Sequence, residues 1–306
     1  MPRIVIVGDR ESGKTTFLGL LYATQVKSGS ARSDAFRFHV AHESLEEISE
    51  AFEQIMSGTF PDSATKEGIR GITFHVGYRK TGLGILSRPR SGGWTSGGSA
   101  TLRFLLLRNF EDEMARFRKG SSFANAALRD VLESEGVTIF VDSTKLASRE
   151  EDRGLAAMGP YDLAVDSLLA ALQRSRLHGG RKVVYPLFVL SKFDSVHPEA
   201  LRAAGVEGPP PDVGKTGPRR AFSEALLEHA LPRTMERIRS RDPQGSPFAR
   251  PSFFFSSVRT EPAAMGRSAT IRLRAAAGGG WEPDYSVDEY LAMLERFSEI
   301  ASNADT

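Results

Sequence analysis

Residues 1–22 read MPRIVIVGDRESGKTTFLGLLY, and no other stretch restricts the chain so strongly. A β-branched run, Ile4-Val5-Ile6-Val7, leads into Gly8-Asp9-Arg10-Glu11-Ser12-Gly13-Lys14-Thr15, and an apolar stretch with helical spacing follows to Tyr22. The order is strand, loop, helix. The loop has the spacing G-x-x-x-x-G-K-[ST]. Its glycines let the backbone fold back so that successive N–H groups converge, and a helix starting near Gly13 adds the positive end of its dipole. Such a cup fits a polyphosphate. Lys14 is placed for the β- and γ-phosphates and the Thr15 hydroxyl for Mg²⁺, so residues Gly8 through Thr16 are the expected phosphate-binding set.

Bulk composition removes several alternatives. With 40 basic against 38 acidic residues the net charge is +2, so nothing in the charge balance argues for nucleic acid. There is no cysteine, which removes disulfides, thiolate metal sites and thiol catalysis and fits a reducing cytoplasm. The longest apolar run, residues 183–190, is too short to span a bilayer. Pro2 stands where N-myristoylation needs glycine, and prenylation has no cysteine to use, so the expectation is a cytoplasmic protein without a membrane anchor. Six dispersed histidines, among them His39, His75 and His178, show no metal-ligand spacing.

Along the chain, helices and strands alternate. Residues 36–40 read as a short strand or an extended connection. Residues 44–56 read as an amphipathic helix with a capping box, Ser44 and Glu47, and inward Leu45, Ile48, Phe52, Ile55 and Met56. Strands are expected at 72–78 and 102–107, joined through a Gly/Ser-rich tip, and helices at 110–118 and 123–132. The run Val137 to Asp142 has the pattern of a central parallel strand, with Asp142 as a turn-stabilising residue. A helix at 161–176, a strand at 183–190, a loop at 205–218, a helix at 222–238, a strand at 252–256, an irregular insertion at 257–281 and a closing helix at 286–301 complete the chain. Gly214-Lys215-Thr216 imitates the phosphate loop, but the spacing from Gly208 is wrong and no strand leads in. This rhythm predicts an α/β doubly wound, mostly parallel sheet with helices on both faces, in one domain over 1–302 with insertions near 24–70, 79–101, 195–220 and 258–284.

A phosphate loop does not choose its base. Ser191-Lys192-Phe193-Asp194, directly after a predicted strand, does more. One carboxylate, Asp194, can accept from both the N1–H and the 2-amino group of guanine while the Lys192 stem lies over the ring; adenine lacks the 2-amino donor and leaves Asp194 unpaired. In this order the chain resembles the TRAFAC-class P-loop GTPases, whose base motif is [NTS]-K-x-D. The resemblance implies a Ras-like strand topology, GTP or GDP with Mg²⁺ as ligands, and an unidentified protein effector or regulator. It also implies that the turn Phe255-Ser256-Ser257-Val258 offers a backbone N–H to guanine O6. The sequence S-G-K-T-T-F-L with Leu21-Tyr22, the long first connection and Gly58-Thr59-Phe60-Pro61 look most like a bacterial branch, the double-GTPase-type (DO-GTPase) domains.

One part of the family pattern is broken. The class carries D-x-x-G after its third strand, where the Asp orients Mg²⁺ through water and the Gly N–H senses the γ-phosphate. Here Asn109 takes the Asp position and Asp112 the Gly position. No Gln follows, which leaves Glu113 to orient a water. The Mg²⁺-binding threonine of the first switch is best matched by Thr65, with Thr59 as second choice. Two readings follow: a slow, Mg²⁺-dependent GTPase switch, or a hydrolysis-deficient GTP-binding interaction module. An ATP-using kinase stands behind both, because it leaves Ser191 to Asp194 unexplained.

Overall fold

The computed structural model describes residues 1–28, 36–61, 69–79, 97–107, 110–118, 126–146, 153–179, 183–240, 247–261, 269–276 and 279–304. Within them the main sheet has seven strands. In chain order these are β1 (Arg3–Gly8), β2 (Phe36–Val40), β3 (Ile69–Arg79), β4 (Gly97–Leu107), β5 (Gly136–Asp142), β6 (Tyr185–Ser191) and β7 (Ser252–Ser256). Across the sheet they run β2-β3-β4-β1-β5-β6-β7. β3 alone runs against the rest; every pairing from β4 to β7 is parallel. Without the outer strand β2, which pairs with β3 at Phe36 opposite Tyr78, this is the α/β P-loop NTPase sheet that the sequence predicts.

Alternation along each strand divides the interior into two cores. Val5, Val7, Val137, Ile139, Val141, Phe188, Leu190, Phe253 and Phe255 face α3 (Phe110–Arg118), α5 (Arg153–Gly179), α7 (Thr216–Ala230) and α8 (Pro232–Arg239). Ile4, Ile6, Phe104, Leu106, Phe140, Leu187, Val189 and Phe254 face α1 (Lys14–Ser28), α2 (His42–Met56) and the closing helix α9 (Val287–Ala304). Helices therefore cover both faces. Two shorter helices, α4 (Ala126–Leu132) and α6 (Pro198–Ala203), fill connections. Strands buried on both sides need continuous apolar runs, and β5 is buried at all seven positions.

Several local expectations change. Helix α2 begins two residues earlier than expected, with Ala41 at its N-cap and no side-chain cap. Ser44 lies inside the first turn, where its hydroxyl accepts the Thr73 N–H at 3.0 Å across to β3, and Leu45 is exposed. The capping box yields to a tertiary hydrogen bond. The helix expected over 222–238 is two helices, because Pro232 drives Leu231 out of helical geometry to φ −132, ψ 59. The loop expected through 218 ends at Thr216, where α7 begins. The irregular insertion holds four short strands, β8 (Thr260–Glu261), β9 (Thr270–Ile271), β10 (Leu273–Ala275) and β11 (Trp281–Pro283), paired as two ribbons. They are tied to the end of α2 by the Ile271 N–H donating to Gly58 O at 2.7 Å.

Among the described residues no strand pairs with the outer edge of β7, which side chains cover. Arg219 of α7 donates to Phe253 O, and Glu289 of α9 accepts the Phe255 N–H at 3.1 Å and pairs with Arg219. Both charges are buried. Removing one partner strands the other, so Glu289→Ala should destabilise the protein by about 3–5 kcal/mol. Urea unfolding followed by circular dichroism measures this, and a loss below about 1 kcal/mol, the range of an exposed pair, contradicts it.

Candidate functional site

The C-terminal ends of β1, β5, β6 and β7 lie side by side, with Gly8 level with Phe140 and the row Asp142, Ser191, Ser256 in register. At a strand spacing of about 4.8 Å, β6 stands roughly 10 Å from β1. That edge is where α/β sheets bind ligands. The phosphate loop follows β1, Ser191 to Asp194 follow β6, and Ser256-Ser257 end β7. Three stretches separated by up to 248 positions thus share one rim.

The loop is shaped by close approach and by unusual backbone angles. A Cβ on Gly8 would stand 2.6 Å from Ser12 Oγ and 2.7 Å from Phe140 Cβ, so only glycine lets the loop close against β5. Glu11 has φ 63 and Gly13 φ 84. Left-handed residues at every second position are the backbone pattern that can turn successive N–H groups to one side, as in an anion-binding nest. The strain of a left-handed Glu11 is held by the Ser12 N–H donating to Asp9 O at 3.2 Å. Lys14 Nζ donates to Gly8 O at 2.7 Å, Asp9 O at 2.6 Å and Ser12 Oγ at 3.2 Å. Ser12 is buried, Arg10 and Glu11 are exposed, and Thr15 and Thr16 are half-buried at the start of α1.

The second stretch turns sharply off β6. Lys192 is left-handed at φ 52, and Phe193 is buried with its ring centroid 4.6 Å from that of Phe255. This anchor leaves Lys192 and Asp194 flanking it on the outer side. Lys192 Nζ bonds Asp142 Oδ2 at 2.7 Å. Asp142 is buried and also accepts from the Thr144 N–H and hydroxyl at 3.1 and 2.7 Å. It stabilises its turn as expected, and it also fixes Lys192. Asp194 is exposed as a residue, yet desolvation of its carboxyl raises its pKa, opposed by a backbone hydrogen bond and by Arg259.

The third stretch is clamped by α9. Ser256 Oγ meets Tyr290 OH at 2.8 Å, while the Ser286 hydroxyl donates to Phe255 O and accepts the Ser257 N–H, both at 3.3 Å. Of the backbone N–H groups in the turn expected to meet guanine O6, that of Ser257 already has a partner in Ser286. Tyr290 also lies against Phe17 of α1, ring centroids 5.6 Å apart, so one side chain touches both the phosphate-loop helix and the β7 turn.

The switch residues are placed less fully. Thr65 and Asn109 lie outside the described residues. The Thr59 hydroxyl donates to Gln54 O at 2.9 Å and serves the end of α2. Helix α3 starts at Phe110, so Asp112 and Glu113 are exposed residues of its first turn. Glu111, half-buried beside them, has its carboxyl raised by desolvation and then by Asp112.

Sequence reasoning missed Lys145, Arg259, Ser286, Glu289 and Tyr290. Lys145, in the single turn Ser143–Lys145 after β5, pairs with Asp9 of the phosphate loop. Its only sequence signal was its place three residues after the carboxylate that ends a central strand.

No protein-family model matches the sequence, and no curated protein matches it. Among solved structures, the signal recognition particle receptor SRb-GTP/SRX complex from Chaetomium thermophilum aligns over 83% of this chain and 90% of that chain, at 12% identity and a TM-score of 0.42. A likeness that loose lends no weight to a functional assignment, which rests on the geometry above.

Proposed function

We propose that this chain is a guanine-nucleotide-binding protein of switch type, with slow Mg²⁺-dependent GTP hydrolysis. One observation carries the reading: a nest-shaped phosphate loop, the pair Lys192 and Asp194, and the Ser256-Ser257 turn stand on one rim of adjacent strands. The backbone N–H groups from Gly13 to Thr16 and the Lys14 ammonium hold the phosphates. Asp194 accepts from guanine N1–H and the 2-amino group, and Lys192, braced by Asp142, covers the base. Among the described residues no three His, Asp or Glu side chains cluster to hold a metal. By the resemblance, Mg²⁺ at this site would be held by the Thr15 hydroxyl and phosphate oxygens, with Thr65 as the switch ligand, in keeping with its usual sparse protein ligation. When bound it neutralises charge developing on the phosphates.

The residues facing the γ-phosphate are poorly equipped. Phosphoryl transfer is driven by positioned charge, and the expected metal-orienting Asp and sensor Gly are Asn109 and Asp112. By the motif match Asp112 would set a negative charge where the sensor Gly is expected; it stands exposed in the first turn of α3. The second reading, a GTP-binding interaction module in which hydrolysis does little, rests on the same two substitutions. Among the described residues no helix is long and apolar enough to cross a membrane. A protein effector or regulator is the partner class such a switch requires.

The test is nucleotide analysis by chromatography of the purified protein, followed by single-turnover hydrolysis. Guanine nucleotide is expected, with an unaided rate at or below about 10⁻⁴–10⁻³ s⁻¹, the range of small GTPases without a partner. Asn109→Asp with Asp112→Gly should tighten Mg²⁺-dependent GTP binding. No guanine-nucleotide binding sinks the reading, and a wild-type rate on the order of 1 s⁻¹ refutes slow hydrolysis and shifts attention to Glu111 or Glu113.

A further inference from the structure

We propose that Lys145 is the counter-ion that lets this phosphate loop accept a polyphosphate, because it neutralises Asp9; the inference deepens the guanine-nucleotide reading and rests on it. The loop carries acidic charge of its own. Between Gly8 and Thr15 it carries two carboxylates, Asp9 and Glu11, against Arg10 and Lys14. Glu11 is exposed. Asp9 is held in the base of the loop: its carbonyl accepts Lys14 Nζ and its Oδ1 accepts the Arg10 N–H at 2.6 Å. A carboxylate fixed there repels every phosphate that the N–H groups attract.

Lys145 answers that charge from the neighbouring strand. β5 pairs with β1 in parallel, and the turn after Asp142 carries the Lys145 ammonium onto Asp9 Oδ2. On the other side of the same turn Asp142 holds Lys192. The rim therefore carries two adjacent ion pairs, Asp9 with Lys145 and Asp142 with Lys192, in which each carboxylate is covered by a lysine. Partial burial and the nearness of Lys192 both lower the pKa of Lys145. Two lysines brought this close repel each other, and their carboxylates hold them there. Lys145 thus acts through Asp9 as a positioning residue.

The prediction is a dependence on ligand charge. Dissociation constants for GTP, GDP and GMP are measured by calorimetry on the full chain, for wild type, Lys145→Ala, Lys145→Met and the double variant Asp9→Asn/Lys145→Ala. Lys145→Met keeps the aliphatic stem and carries the comparison where the alanine variant does not fold. The single variants should weaken GTP on the order of tenfold, GDP less and GMP least, because the unpaired Asp9 charge acts on each phosphate. The double variant, with that charge gone, should return to within about threefold of wild type, as a coupled pair does in a double-mutant cycle. Equal losses for all three nucleotides, or no recovery in the double variant, overturn the proposal and leave Lys145 a support for its turn. Wild type that binds none of the three overturns the nucleotide reading together with it; wild type that binds, with charge-independent losses in the variants, overturns Lys145 alone.

Discussion

Lys14→Ala is expected to remove nucleotide binding by about 3–4 kcal/mol, on the order of 10²–10³ in affinity. Two losses combine. In the proposed site the ammonium is the cation that meets the β- and γ-phosphates, and in the structure it also bridges Gly8 O, Asp9 O and Ser12 Oγ. Without it the ligand loses a charge partner and the loop loses three tethers that keep its N–H groups convergent. Lys14→Arg should fail almost as badly, since a planar fork cannot meet three acceptors gathered around one point. Calorimetry with GDP decides the matter, alongside thermal melting without added nucleotide to separate loop damage from lost contacts. Affinity unchanged in Lys14→Ala would remove the site assignment.

Reading the sequence succeeded where the signal was local. The β-branched run and the phosphate-loop spacing gave a strand and a helix that the structure bounds at Arg3–Gly8 and Lys14–Ser28. The apolar runs of β5, β6 and β7 were legible because strands buried on both faces need no alternation. What failed depended on partners far away. Ser44 has a capping-box sequence, but a β3 N–H competes for its hydroxyl across 29 positions. The ribbons between β7 and α9 have strands of only two or three residues, too short to show a period. The break at Leu231 is the exception, a local one, set by the adjacent Pro232.

The site divides in the same way. Its candidate motifs are each contiguous in the chain, so spacing alone singles them out as candidates. The groups that brace them are remote: Lys145 reaches Asp9 across 136 positions and Tyr290 reaches Ser256 across 34. Those contacts exist only because strand register sets Gly8, Asp142, Ser191 and Ser256 along one edge. No pattern in sequence distance announces them.

Asp194→Asn should exchange guanine for xanthine preference by a factor on the order of 10² or more, the scale on which a site rejects a base that leaves its buried groups unpaired. The carboxylate offers two acceptors, matching guanine N1–H and 2-amino. An amide keeps one acceptor for N1–H and turns the other position into a donor, which suits the 2-oxo group of xanthine and meets the guanine amino group donor to donor. Competition between GTP and XTP in wild type and variant measures the exchange, and equal binding of ATP and GTP by wild type defeats the base assignment. A pH dependence follows from the same carboxyl. Desolvation raises its pKa in the free protein, and guanine binds only the ionised form, so affinity is full above that pKa and falls as pH drops through it. The fall should begin above the ordinary aspartate value of about 3.9 and should disappear from the residual GTP binding of Asp194→Asn. If the acid limb persists unchanged in the variant, another group carries it, and Asp194 is not the acceptor that reads the base.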